Sequence, residues 1–270
     1  MSIHFWKMHG AGNDFVLVDD RARTFPADDK AWIASISARR TGVGSEGTIL
    51  IQPSDKADFR MRFFNPDGGE VDMCGNGARC VARLAHEIGA APAEMTFETP
   101  AGLVGATLLG ERVRLRMPKP KGLRLSQRLE LDGRAMTYHF VNSGVPHAVI
   151  EVDDLKETDV ARLGAGIRHH SAFAPAGTNV NFVTVDRPQS LSVRTYERGV
   201  EAETMACGTG VVATGLIAGR LGWVTPPVSI RCASGDTLEV DYRSEGDEFD
   251  GVTLTGPAAH VFEGTLDYRS

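Results

Sequence analysis

The stretch VDMCGNGARC, Val71 to Cys80, puts a cysteine directly before a glycine, an asparagine and a second glycine, and TMACGTGVVA, Thr204 to Ala213, does nearly the same again. An acidic residue lies a few positions before each cysteine, Asp72 and Glu203, and a small-residue, helix-compatible segment follows each. The two cysteines, Cys74 and Cys207, stand 133 positions apart, about half of the 270-residue chain. That offset recurs between Gly102 and Gly235, and between GSEGTILI (Gly44 to Ile51) and GTNVNFVT (Gly177 to Thr184). MRFFNPDG (Met61 to Gly68) and VRTYERGV (Val193 to Val200) precede the two cysteine turns. FETPAGLVGATL (Phe97 to Leu108) and IRCASGDTLEV (Ile230 to Val240) follow them, and NDFVLVDD (Asn13 to Asp20) answers PHAVIEVDD (Pro146 to Asp154) within a residue or two. Matches in one order at nearly one offset argue for an internal duplication.

Each half follows one plan. Short β-rich runs such as FVLVDD, TILIQ and FRMRFF come first. The cysteine turn follows, then one apolar helix, expected over Ala78 to Ile88 and over Val211 to Leu221, with Gly89 and Gly222 as C-terminal stops. LVGATLLG and RVRLRMP, then TLEVDYR and DGVTLTG, read as further strands. The expected fold is α+β (mixed α/β): two similar halves, each a curved, mostly antiparallel or mixed sheet against a helix. The boundary is expected in the Pro/Lys stretch Pro118 to Gly122. This gives residues 1–118, joined by a returning C-terminal segment of about 258–270, and residues 119–257.

Composition narrows the partners. At this length roughly 75% of the unfolded surface is buried, so a core needs no staples. A net charge of −6 argues against nucleic acid or an anionic membrane as the main ligand. The nearest basic cluster, MPKPKGLRL (Met117 to Leu125), reads as a linker. No run of 18 apolar residues exists and the N-terminus lacks a signal-peptide pattern, so the expected location is the cytoplasm. Four cysteines without C-x-x-C spacing predict thiols rather than disulfides or a zinc site.

A cysteine at a helix N-terminus meets partly positive N–H groups, which favour the thiolate. The glycines after it let the backbone hold a carboxylate. If the two turns faced each other across a cleft, one thiolate could take a proton from a carbon while the opposing thiol donated one to its other face, inverting a stereocentre. Helix N-termini at the substrate carboxylate would stabilise the developing charge. A copied structural residue, a redox sensor or a metal ligand are the other readings that residue physics leaves open. Cys80 and Cys232 do not match each other and read as structural.

Neighbouring polar residues add to the pattern. Asn65 ends a strand run nine residues before Cys74, and Glu197 with Arg198 holds the matching place before Cys207. A Glu–Arg pair can bind an ammonium and a carboxylate together, against the plain alternative of a surface ion pair. HGAGNDF has Phe15 where a dinucleotide fingerprint needs its third glycine; Asn13 there is a candidate polar contact or a turn residue. His147 either orients a base or satisfies a turn. His169 and His170 read as solvated.

KMHGAGNDF, FFNPDGGEVDMCGNGARC, GVPHAV, GTNVNF and YERGVEAETMACGTG, in order from Lys7 to about Gly215, closely resemble the diaminopimelate epimerases. The resemblance implies interconversion of LL- and meso-diaminopimelate, toward lysine and peptidoglycan, with no pyridoxal phosphate, other cofactor or metal. It also implies two pseudo-symmetric domains, each a sheet wrapped around a central helix, a small-molecule amino-acid substrate and a homodimer. Carried over by motif, Cys74 and Cys207 are the base/acid pair. Gly75, Asn76, Gly208 and Thr209 form the carboxylate cradle, while Asn13, Asn65, Asn179, Glu197 and Arg198 grip the distal amino-acid end. His147 and Glu197 are expected close to the thiols. Three departures touch substrate recognition: Gly47 where some members carry glutamine, Val145 where some read GNPH, and one extra residue between Glu197 and Cys207. A racemase of another amino acid such as histidine is the near alternative. A thiol redox sensor or a non-catalytic amino-acid binder are the distant ones.

Overall fold

The structure of the chain, a computed structural model, describes residues 1–187, 189–246 and 248–269. The first half runs through strands Ser2–Gly10 (β1) and Asn13–Asp19 (β2), helix Lys30–Ser37 (α1), strands Thr48–Gln52 (β3), Phe59–Phe64 (β4) and Glu70–Val71 (β5). Helix Gly75–Glu87 (α2) follows, then strands Glu94–Thr99 (β6), Gly102–Leu109 (β7) and Arg112–Arg116 (β8). The second half runs through strands Lys121–Leu131 (β9), Arg134–Asn142 (β10) and Pro146–Glu151 (β11), helix Val160–Arg168 (α3), and strands Asn179–Arg187 (β12), Ser190–Glu197 (β13) and Ala202–Thr204 (β14). Helix Gly208–Arg220 (α4) and strands Val228–Arg231 (β15), Thr237–Glu245 (β16) and Glu248–Pro257 (β17) complete it, and a last strand, Ala259–Asp267 (β18), closes the chain.

The chain divides into two compact units: Met1–Leu115 together with the residues from Gly256 onward, and Arg116–Thr255. In the first, the strand order is β18, β1, β2, β3, β4, β6, β7, β8, with β5 clipped onto β4. The β2–β3 and β4–β6 pairs are parallel and the rest antiparallel. In the second, the order is β9, β10, β11, β12, β13, β15, β16, β17, with β14 on β13, and the parallel pairs are β11–β12 and β13–β15. The internal topologies coincide element for element, with β18 holding in one unit the place that β9 holds in the other. Register coincides as well: Val16 pairs with Thr48 and Val149 with Asn181, each position displaced by the 133 residues of the repeat.

Strand alternation assigns the two faces of each sheet. In the first unit Val16, Val18, Leu50 and Phe64 join Ile33 and Ile36 of α1 in one core. Ile49 and Met61 turn to the opposite face, against Gly77 of α2. In the second unit Ala148, Ile150, Val180 and Phe182 join Val160 and Ile167 of α3. His147 and Asn181, offset by one residue, therefore face α4, as the period of two requires. Helix α4, GTGVVATGLIAGR, buries Gly210 through Ala218 without interruption. A helix apolar all round belongs inside a core, and α4 packs against β10, β11, β12, β13, β15 and β16.

Three expectations need correction. Each unit has a second helix, α1 or α3, that sequence periodicity did not reveal. At 8 and 9 residues they are short, and α3 carries Gly164 and Gly166. A Cβ at Gly164 would stand 2.5 Å from that of Tyr196, so close packing overrides the glycine's poor helix propensity. Helices α2 and α4 begin three residues earlier than expected, immediately after Cys74 and Cys207. Much of the stretch read as a linker is strand β9, whose Leu129 joins the core. The expected stops hold: Gly89 and Gly222 follow the two helices with φ of 69° and 76°. The loop AlaGly at 11–12 is a two-residue hairpin turn closing the Gly10–Asn13 pair, with φ of 54° and 88° at its two positions, the sign that a type I′ turn requires.

Candidate active site

Cys74 is the N-cap of α2 and Cys207 the N-cap of α4, both in extended backbone. N-caps are ordinarily Ser, Thr, Asp or Asn, whose oxygens accept well from the first-turn N–H groups. A thiol is a weak acceptor, so two cysteines in this place are a poor choice for helix stability. All four cysteines are thiols; Cys80 and Cys232 are buried, and burial pushes the Cys80 thiol up to about 12.

Around Cys207 the second unit builds a polar network. Cys207 Sγ lies 3.6 Å from Thr209 Oγ1. His147 Nε2 lies 2.9 Å from that same hydroxyl, and His147 Nδ1 lies 3.1 Å from Asn181 Nδ2. Ser143 Oγ donates to Thr209 O at 2.7 Å, tying the first turn of α4 to the end of β10. Cys207 is 8% exposed. Burial first, then the charge and hydrogen bonding of the Glu197 carboxylate, push its thiol well above the ordinary range, while Thr209 and the Gly210 N–H act the other way. His147 is fully buried, and its pKa is lowered to about 3, chiefly by burial and next by the positive Arg198. At neutral pH it is an uncharged imidazole.

Around Cys74 the first unit is different. Arg79, one turn into α2, is 0% exposed. Its guanidinium donates to Asn76 Oδ1 at 2.8 Å, Pro257 O at 3.2 Å and Gly75 O at 3.4 Å. Strand β1 approaches this turn so closely that a Cβ on Gly10 would stand 2.7 Å from Asn76 O. Where the second unit has His147, the repeat puts Asp14. Burial opposes its charge, but hydrogen bonds and charge from Arg39 and Lys7 outweigh that and hold the carboxyl below its usual range. Lys7 Nζ reaches Asp14 Oδ2 at 2.7 Å and also bonds Gly44 O.

The other candidates divide between the units. Asn13 opens β2, and Asn65 directly follows β4, where its N–H and C=O close a turn with Gly69 and Gly68. Asn179, 4% exposed, spends its amide on Pro146 O at 3.0 Å and the Arg198 N–H at 2.8 Å. Arg198 Nη1 donates to Ala176 O at 3.1 Å. Glu197 ends β13 beside Cys207, so the unit brings Glu197, His147, Thr209 and Cys207 together. His169, at the end of α3, is exposed and 3.6 Å from Glu201; His170 is half-buried and caps the following 3₁₀ turn through Ala172 N. Sequence reasoning missed Ser143, Thr195, Asn181 and Arg79. Asn181 was within reach: it lies in GTNVNF, on the face of β12 that alternation turns toward α4. Among the described residues, no group of His, Cys, Asp and Glu could hold a metal ion, and no helix is long and apolar enough to cross a membrane.

The family model of diaminopimelate epimerase matches residues 5–121 and 139–261. This chain belongs to the diaminopimelate epimerase family. It is 40% identical over 276 residues to the diaminopimelate epimerase of Aquifex aeolicus (strain VF5), covering 98% of each chain. It is 43% identical over 263 residues to that of Chlorobaculum tepidum, covering 96% of this chain and 99% of the relative. Among solved structures it is similar to a probable proline racemase from Agrobacterium radiobacter K84 with bound carbonate, at TM-score 0.74, 18% identity, and 99% and 93% coverage. It is also similar to a Bacillus anthracis phenazine biosynthesis protein of the PhzF family, at TM-score 0.75, 16% identity, and 99% and 100% coverage. At those identities the fold alone is shared.

The departures from other members of the family now have places. Gly47 has φ 150°, and a Cβ there would stand 2.3 Å from Phe64 O and 2.5 Å from the Phe63 ring. This backbone leaves no room for glutamine. Val145 lies in the turn before β11, its carbonyl accepting from Ser143 N at 3.2 Å. The extra residue before Cys207 falls in or near the β13–β14 hairpin, where Glu197 pairs with Ala202 and Glu201 takes φ 57°.

Proposed function

We propose that this protein interconverts LL- and meso-diaminopimelate without a cofactor, supplying precursors of lysine and peptidoglycan. Near full-length membership of the diaminopimelate epimerase family supports the substrate. The observation that carries the chemistry is the repeated thiol N-cap: each unit sets one cysteine at the start of its central helix, where stability alone would prefer an oxygen.

In this reading Cys74 and Cys207 act on opposite faces of one α-carbon. One sulfur, as thiolate, forms an S–H bond with the α-proton as the C–H bond breaks. The pair of electrons left on carbon spreads into the adjacent carboxylate, held by the first-turn N–H groups of Gly75 and Asn76 with those of Gly208 and Thr209. The other thiol delivers its proton to the opposite face, and its sulfur ends as the thiolate. Protons and charge balance without an external reagent, and the enzyme emerges with its two protonation states exchanged, set for the reverse reaction. Glu197 accepts from the Cys207 thiol while that proton waits, which suits an acid that must not ionise early. Asn13, Asn65 and Arg198 are assigned to the distal amino-acid head, and Asn179 to holding the backbone around it. A cytoplasmic homodimer completes the reading, supported by the family resemblance; sedimentation at micromolar concentration tests the dimer.

The deciding experiment is NMR in D2O under reducing conditions with LL-diaminopimelate and no added cofactor, on wild type, Cys74→Ala and Cys207→Ala. Deuterium entering the α-position with conversion to the meso form, lost in each variant, supports the reading. Conversion that survives either substitution overturns the two-thiol mechanism. Exchange with another amino acid in place of diaminopimelate overturns the substrate.

A further inference from the structure

We propose that Asn181 is a positioning residue: it fixes the tautomer of His147 and so commits the Thr209 hydroxyl to donate to the Cys207 sulfur. The inference rests on the reading of Cys207 as a reactive thiol and adds to it a directed chain that reaches back to Thr195 on β13.

Each link has a determined direction. Asn181 Nδ2 donates to Ala148 O at 2.9 Å, and Asn181 Oδ1 accepts from Thr195 Oγ1 at 3.0 Å. These two bonds fix which end of the amide is nitrogen. The remaining N–H of Nδ2 points to His147 Nδ1 at 3.1 Å. A ring nitrogen that accepts carries no proton, so the neutral imidazole carries its proton on Nε2. Nε2–H then donates to Thr209 Oγ1 at 2.9 Å. With that oxygen accepting from His147, its single proton is left to Cys207 Sγ at 3.6 Å. The sulfur therefore sits between a committed donor, Thr209, and an acceptor, Glu197.

Sheet register builds this chain. Asn181 pairs directly with Thr195 across β12–β13, and with Val149, two places along from His147, across β11–β12. Helix α4 rests on it: a Cβ on Gly210 would stand 2.3 Å from Asn181 Oδ1. Because His147 stays uncharged, it works as an oriented dipole, not as a store of protons. Such a donor favours the thiolate against the nearby Glu197 carboxylate. The positive charge of Arg198 acts on the ring, and the Glu197 carboxylate acts on the sulfur.

The test begins on the wild-type protein. The ¹⁵N shifts of His147, assigned with His147→Gln, should show a bare Nδ1 and a protonated Nε2; the reverse tautomer overturns the proposal without any other variant. Asn181→Asp keeps the shape but offers only acceptors, drawing the ring proton to Nδ1 and the Thr209 proton to Nε2. The expected result is a reversed tautomer, kcat lowered about 10- to 100-fold at nearly constant KM, and alkylation of Cys207 by iodoacetamide slowed by a similar factor, its pH profile moving upward. Asn181→Leu and Thr209→Ala should slow alkylation without adding charge, and Thr209→Ser should restore it. Unchanged alkylation in Asn181→Asp and Asn181→Leu sinks the proposal. Tautomer and alkylation are read without turnover, so they stand if Cys207 proves dispensable for epimerisation. Loss of activity in Cys207→Ala with no alkylation change in the Asn181 variants would reject this chain alone.

Discussion

His147 and Thr209, 62 positions apart in the chain, meet at 2.9 Å through Nε2 and Oγ1. One comes from the start of β11 and the other from the first turn of α4, two residues after Cys207. A buried, uncharged histidine thereby becomes part of the surroundings of a helix N-terminus.

The charge state of His147 should appear in stability. Its folded pKa, about 3, lies below the unfolded value near 6.5, so the unfolded chain binds the extra proton between those limits. The contribution is complete above about pH 6.5 and is lost as pH falls toward 3, by on the order of 1.4 kcal/mol per pH unit. Urea unfolding between pH 4 and 7 should show wild type losing stability more steeply than His147→Gln. Parallel slopes would mean that His147 titrates normally in the fold.

Glu197 should hold back ionisation of Cys207. Glu197→Gln removes a negative charge beside the sulfur, so the thiol pKa should fall and alkylation of Cys207 at neutral pH should speed up. The direction is opposite to that expected for the Asn181 variants. Slower or unchanged alkylation would place the carboxylate's influence elsewhere.

Gly219 is required by Tyr242. A Cβ there would stand 1.7 Å from Tyr242 Oη, which also donates to Gly215 O at 3.4 Å. Gly219→Ala should cost about 1–3 kcal/mol through overpacking. Tyr242→Phe in the same chain should recover part of the loss, a coupling readable in a double-mutant cycle by calorimetry. Strict additivity would show that the side chain moves aside freely.

Gly47→Gln, which installs the residue some family members carry, should destabilise this chain by at least about 1–3 kcal/mol, because φ 150° and the contact with Phe64 O leave a Cβ no space. A melting temperature equal to wild type would show that the loop around Gly47 has a second conformation.

Much of this protein was legible in one dimension. The 133-residue repeat is a property of the sequence, and the two units carry it down to strand register. The β-rich runs FVLVDD and TILIQ were readable as strands, and glycine after each central helix marked its end, because these are local rules of residue type and backbone sterics. Cys74, Cys207 and the small residues after them were readable for the same reason: an N-cap and its first turn are contiguous in the chain.

Tertiary packing decided the rest. Short α1 and the glycine-bearing α3 form because a sheet face receives each of them, with Tyr196 against Gly164 in the case of α3, and local propensity does not contain that information. Arg79 is a buried guanidinium only because Pro257 and the α2 turn close over it. Asp14 and His147 hold one repeat position and became an ion-paired carboxylate and a neutral ring, because their surroundings come from distant strands and helices. A sequence determines which groups exist and which face each takes. Their protonation and hydrogen-bond direction depend on what folding brings within about 3 Å, where burial and a partner's donor or acceptor outweigh intrinsic chemistry.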